Sequence, residues 1–228
     1  LFDKFNGSII ISGAFGLFQK SVVVDAGGYD PTTMGEDMEL VVKLHLFCRE
    51  HNIPYRIRYA TDAICWTQAP ESLKDLCKQR RRWHIGLFQS MQKHRVMLLN
   101  PRFGLVGTLS YLYFLIYELL SPYIEVFGIL TMVLAYLVDL LNLPFMLLFF
   151  LIYVGYSAIL SLTAFFARIH TIDLKLTFWD VVKAVGLCVV EVSCLRLILA
   201  WVRATALFGY HKKKQSWGSI QRKTIKFK

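Results

Sequence analysis

Two short strings hold side chains capable of acid–base and phosphate chemistry. Gly35-Glu36-Asp37 places two carboxylates where an apolar periodicity begins, and Gln79-Arg80-Arg81-Arg82-Trp83 places three guanidiniums beside an indole. A carboxylate can take a proton from an attacking hydroxyl. Guanidiniums can hold charge that develops on a phosphate, and an indole face can cover a sugar ring while its N–H bonds a hydroxyl. Each string also has a plainer reading: an acidic pair at a helix start compensates the helix dipole, and a run of arginines is ordinarily a solvated face. If residues 79–83 are helical, Gln79, Arg82 and Trp83 fall at i, i+3 and i+4 and crowd one face, with Arg80 and Arg81 directed elsewhere. A third string, Ser12-Gly13-Ala14-Phe15-Gly16, offers small residues where backbone can approach a ligand closely; a tight turn accounts for it equally well.

The elements around these strings must position them. Gly7 to Phe18 reads as an apolar strand turning through Ser12, Gly13 and Gly16, and a short segment after Ser21 is closed by Gly27 and Gly28. From Glu36 to Arg49, Leu40, Leu44 and Phe47 recur at helical spacing, with Glu36 and Asp37 where the dipole favours anions. His51, Asn52 and Pro54 break that helix, and Tyr55, Ile57 and Tyr59 alternate with Arg56 and Arg58 in the period of a half-buried strand. Pro70, and Ser72 with Asp75 three residues later, mark the capped start of a second helix running through Gln79–Trp83 towards Arg95. This order of elements predicts an α/β domain over residues 1–102.

Beyond residue 102 the chain changes character. Of its 228 residues 55% are hydrophobic and 18% charged, against about 25% charged in an ordinary globule. Residues 1–102 hold 24 of the 42 acidic and basic side chains, whereas from Phe103 to Ala167 the charged ones are Glu118, Glu125 and Asp139. Breaks at Ser121-Pro122, Asn142–Pro144 and Arg168–Asp180 predict an all-α transmembrane region over 103–210, with apolar segments near 104–120, 123–141, 145–167 and 181–206. The first is short of the roughly 20 residues a span needs. Three or four crossings are open on length alone. The formal charge of +10 includes seven Lys or Arg in His211–Lys228, a basic cytoplasmic tail suited to anionic membrane lipid; nucleic acid is not expected, since Trp217 and Phe227 are the tail's sole aromatic platforms. Lys78–Arg95 and this tail share the cytoplasm with an even number of crossings, which selects four. Lys183, Glu191, Arg196 and Arg203 fall in the last segment, where a polar conduit and snorkelling arginines are both open readings.

An aromatic content of 14%, with 14 Gly and 6 Pro, excludes disordered and collagen-like classes. Five cysteines without metal-ligand spacing suit a reduced, cytosol-facing compartment. No basic segment followed by an apolar run stands near Leu1, so neither a signal peptide nor an amino-terminal anchor is expected, and the chain reads as the carboxy-terminal piece of something longer.

Standing in this order ahead of apolar segments, the three strings resemble those of the processive family two glycosyltransferases, the group of the cellulose, chitin, hyaluronan and poly-N-acetylglucosamine synthases. The similarity covers most of residues 8–95 and extends through the apolar segments to Ser216-Trp217-Gly218. It implies the carboxy-terminal half of a GT-A type α/β domain followed by an all-α transmembrane region, in a plasma-membrane protein whose catalytic part faces the cytoplasm. It implies inverting transfer from a nucleotide-diphosphate sugar to a growing polysaccharide or glycan acceptor. Asp37 matches the catalytic base, Arg82 the diphosphate-binding arginine and Trp83 the acceptor-stacking ring; Glu36, Gln79, Ser12 and Gly13 match positions that line the substrate site. Two departures stand out. Gly35 occupies a position usually held by Thr in the named synthases. Residues 1–34 contain no Asp-x-Asp string, since Asp25 and Asp30 are not so spaced, which places the ligands of the expected divalent metal (Mg or Mn) in a missing amino-terminal half and leaves this chain inactive alone. The rival from another class is a non-catalytic membrane transport or channel subunit with a cytosolic regulatory domain, which makes no use of Asp37 or Trp83.

Overall fold

The computed structural model describes residues 2–11, 13–60, 63–172 and 176–209, with backbone alone at 168 and 170–172. The chain divides into two compact units, Leu1–Ser121 with Thr205–Lys228, and Pro122–Ala204.

In the first unit, α1 (Lys20–Asp25) gives way to Gly27 and Gly28 at φ +86° and +67°, left-handed conformations that glycine adopts without a Cβ clash. Helix α2 (Glu36–Glu50) starts where the acidic pair predicts and buries Leu40, Val41 and Leu44. Helix α3 (Leu73–Lys93) starts at Ser72, whose Oγ accepts the Asp75 N–H at 3.1 Å, the expected cap. Residues 103–121 pack with this unit, and from Val106 onward they also belong to a helix long and apolar enough to cross a membrane. Phe103, Val106 and Tyr111 are buried with Ile9, Val42 and Leu87 in one core, and the Tyr111 hydroxyl donates to the Met91 carbonyl. Leu105, Leu109, Ile116, Tyr117 and Leu120 remain exposed, so one side of 103–121 packs on protein and the other stays apolar and open.

The α/β expectation is not met: among the described residues there is no strand. The stretches read as strands, Gly7–Phe18 and Tyr55–Tyr59, form no ladder among the described residues; a ladder requires a second backbone in register, and at residues 55 and 57 a side chain makes the hydrogen bonds instead. Asn6, left-handed at φ +57°, donates through Nδ2 to the Tyr55 carbonyl at 3.2 Å and accepts the Ile57 N–H at 2.7 Å. One amide supplies one such donor–acceptor exchange and no more. His45 of α2 braces the same region, with Nε2 2.9 Å from the Ser8 carbonyl and Nδ1 2.7 Å from the Tyr55 hydroxyl. Nε2–H therefore donates to the carbonyl and Nδ1 accepts from the phenol.

Four apolar segments were expected; among the described residues three helices are long and apolar enough to cross a membrane, Val106–Leu137, Leu143–Ala167 and Phe178–Ala204. The predicted break at Ser121-Pro122 lies inside the first of them. Two stretches preceding it, Val106–Ser110 and Phe114–Leu120, are π-helical, and Ser121 keeps helical angles of φ −53° and ψ −40°. A widened turn relieves the clash of a proline ring with the carbonyl one turn earlier, so Pro122 is accommodated without a break. The break at Asn142–Pro144 is present, with Asn142 Oδ1 accepting the Phe145 N–H at 3.1 Å and Leu143–Ile172 following. The third helix begins at Phe178, behind a Thr177–Asp180 capping box. Within the second unit Arg196 Nη2 pairs with Glu125 Oε1 at 3.0 Å, and the Arg196 guanidinium lies 5.9 Å from the Tyr153 ring centroid. Charges among apolar helices persist when paired in this way. The basic tail, 211–228, lies outside the described residues.

Candidate functional site

The start of α2 rests on a glycine of α3. A Cβ built on Gly86 would stand 2.8 Å from Gly35 N and 2.9 Å from Gly35 Cα, and one built on Gly35 would stand 3.3 Å from Gly86 Cα. Two backbones therefore meet with no side chain between them. Gly86 follows Trp83 by three residues and Arg82 by four, so the helical stripe carrying Gln79, Arg82 and Trp83 continues to the point where α2 begins. One turn further along, Gln89 Oε1 accepts the Met34 N–H at 2.7 Å. Sequence reasoning passed over Gly86 and Gln89; the signal available was their continuation of the i, i+3, i+4 stripe.

Asp37, half-buried in the first turn of α2, divides its carboxylate between two environments. Oδ1 accepts the Met38 N–H at 2.8 Å. Oδ2 lies beneath Gly13, where an added Cβ would stand 2.3 Å from it. The glycine-containing loop therefore passes directly over the carboxylate because position 13 has no side chain. Glu36 is half-buried beside it. Ser12 lies outside the described residues.

On α3, Trp83 is 44% exposed, while Gln79 and Arg82 are half-buried. Arg80 departs from expectation: its guanidinium lies 4.7 Å from the Trp83 ring centroid instead of pointing away. A residue three positions earlier on a helix is within reach of the ring, and the π face attracts the cation. Arg81 does turn elsewhere, donating to Thr205 Oγ1 at 3.2 Å.

Behind Asp37, α2 buries a charged network that the sequence reading missed. Glu39 is fully buried, with Lys43 at 3.1 Å, Lys93 at 3.0 Å and His94 Nε2 at 2.9 Å; Lys93 also pairs with Asp30. Burial alone would raise the Glu39 pKa, but hydrogen bonds from His94, Lys93 and Lys43 outweigh it and hold the carboxyl below its ordinary value. The Glu39–Lys43 spacing of i, i+4 was the one legible sign. His45 is the opposite case: burial pushes its pKa down to about 4, so the ring is neutral.

Among the described residues no three His, Cys, Asp or Glu side chains gather to hold a metal. Glu36 and Asp37 do not by themselves make a metal site. The arrangement instead offers a carboxylate, an adjacent arginine-bearing face and a partly open indole.

Comparison with known proteins bears on this geometry. The family model described as Glycosyl transferase family group 2 matches residues 1–169. The chain is 42% identical over 109 residues to a poly-beta-1,6-N-acetyl-D-glucosamine synthase of Staphylococcus aureus, a stretch that is 47% of this chain and 23% of that protein. It is 43% identical over 76 residues to a protein of the same name from Staphylococcus epidermidis, covering 33% and 17% of the two. These matches span less than a quarter of the relatives' length. No solved structure matches.

Proposed function

Because the chain belongs to glycosyl transferase family group 2, we propose that it forms the acceptor side of a membrane-bound inverting transferase, which moves a sugar from a nucleotide-diphosphate donor to a growing glycan. The printed name of the relatives makes N-acetylglucosamine the sugar and a β-1,6-linked polymer the product in this reading. An acceptor hydroxyl gives its proton to Asp37 as its oxygen bonds the anomeric carbon. The bond from that carbon to the diphosphate breaks, and Arg82 meets the charge left on the departing nucleotide diphosphate. Trp83 carries the acceptor sugar, and Gln79, Glu36, Ser12 and Gly13 line its path. The observation that carries the reading is a convergence through two glycine approaches, Gly13 on Asp37 and Gly35 on Gly86, the latter lying one helical turn beyond Trp83 on the stripe of Gln79, Arg82 and Trp83. A transport subunit leaves that convergence without a role.

A divalent metal, Mg or Mn, belongs to this reading with its ligands outside these residues, as do the strands that would complete a GT-A type sheet beside the stretches read as strands, Gly7–Phe18 and Tyr55–Tyr59; the 228-residue chain alone then gives no transfer. In this reading the enzyme sits in the plasma membrane with α2 and α3 cytoplasmic. The Arg81–Thr205 hydrogen bond, within the first unit, supports α3 and Thr205 lying on one side of the membrane. A cysteine in the tail, with the five native ones removed, should then resist an impermeant thiol reagent in intact cells and react after lysis.

The central test is Asp37→Asn in the complete enzyme, which should lower turnover by roughly 10² to 10⁴ while leaving nucleotide-sugar binding intact. Near-normal transfer would reject the assignment. Arg82→Lys should weaken nucleotide-diphosphate binding and Trp83→Ala should chiefly shorten product, separating the two roles.

A further inference from the structure

We propose that Gly86 is a positioning residue for the transfer reaction: its missing side chain lets α3 seat the start of α2 backbone to backbone, and so sets Asp37 relative to Arg82 and Trp83. The inference rests on the reading of Asp37 as the base. All three atoms nearest an added Cβ at Gly86 are backbone atoms, Gly35 N at 2.8 Å, Gly35 Cα at 2.9 Å and the Met34 carbonyl carbon at 3.2 Å, so no side chain can swing aside to admit a methyl group. The neighbouring chain itself would have to move, and Asp37 is only two residues from Gly35. The joint is braced independently, since Gln89 Oε1 holds the Met34 N–H at 2.7 Å on the same stripe of α3. The reciprocal position is more forgiving, because a Cβ on Gly35 would meet its nearest atom at 3.3 Å. A displacement of about an ångström at a reacting group can cost on the order of 10²-fold in rate, which makes a backbone joint two residues from the base a determinant of turnover.

The complete membrane-embedded enzyme should be assayed as wild type, Gly86→Ala, Gly35→Ala, Gln89→Leu, Asp37→Asn and the Asp37→Asn/Gly86→Ala double variant. Gly86→Ala should lower kcat by roughly ten- to a hundredfold, with the nucleotide-sugar KM within about threefold of wild type. Gly35→Ala and Gln89→Leu should fall in the same direction by less. If Gly86 acts through Asp37, adding Gly86→Ala to Asp37→Asn should cost less than about threefold more. Unchanged kcat in Gly86→Ala overturns the proposal, as does a full multiplicative loss in the double variant. If Gly86→Ala does not assemble, Gln89→Leu carries the test, and unaltered kcat there overturns the proposal equally. Normal turnover by Asp37→Asn identifies the base assignment as the part that failed; an inactive Asp37→Asn beside a fully active Gly86→Ala identifies the positioning role.

Discussion

The two units of this chain solve the burial problem in opposite ways. In the first, Leu40, Val106 and Phe103 are 0–1% exposed and even a carboxylate, Glu39, is sealed inside with its cations. In the second, Leu140 and Leu151 are 82% and 70% exposed, and the helices Leu143–Ala167 and Phe178–Ala204 have 6% and 17% of their most apolar stretch buried. Water drives the first set of side chains together. The second set fits a hydrocarbon solvent, in which a helix satisfies its own backbone and association falls to packing and a few polar pairs such as Glu125–Arg196. The candidate site lies in the first unit, where positions are held by close packing and can be specified to a fraction of an ångström.

Matched substitutions test this contrast. Phe103→Ala should destabilise the first unit by about 3–5 kcal/mol, since it empties a filled core, whereas Phe149→Ala, at a position 60% exposed in the second unit, should leave the unfolding midpoint in lipid nearly unchanged. Equal losses would mean that protein, not lipid, covers Phe149.

Acidification should act on the first unit. The His45 ring is neutral in the fold with a pKa near 4, against about 6.5 in an unfolded chain. Its contribution is therefore intact above pH 6.5 and is lost as the pH falls towards 4, by up to about 3 kcal/mol. Glu39 works in the same direction in the carboxylate range: its pKa is held down by His94, Lys93 and Lys43 against the upward push of burial, so its stabilisation disappears as the pH falls through its folded value. Chemical unfolding followed by circular dichroism at pH 7.5 and 5 should show the drop, and His45→Gln should flatten its upper part.

The smallest effect belongs to the polar pair among the apolar helices. Arg196 and Glu125 are partly exposed, and a double-mutant cycle with Arg196→Leu and Glu125→Gln should give a coupling of about 1 kcal/mol. A coupling several times larger would show the pair to be sealed from solvent and lipid headgroups.

What was legible in the sequence is what neighbours within a turn or two control. The start of α2 at Glu36, the Ser72 cap of α3, the shared face of Gln79, Arg82 and Trp83 and the apolar character of the later helices all follow from local spacing, capping and composition. The tertiary structure decided matters in which distant residues compete for one place. Asn6 reaches residues 49 and 51 positions away and takes the hydrogen bonds that the strand reading reserved for a ladder. Pro122 reads as a break until π-helical turns accommodate it. Gly35 and Gly86, 51 positions apart, are unremarkable as single letters, and Arg80 counts as solvated until the Trp83 ring is beneath it. Local patterns set the direction in which a side chain leaves its helix, because helical geometry repeats every few residues. What that side chain meets depends on which remote backbone can approach closely enough, and at Gly13 and Gly86 it is the absence of a Cβ that permits the approach.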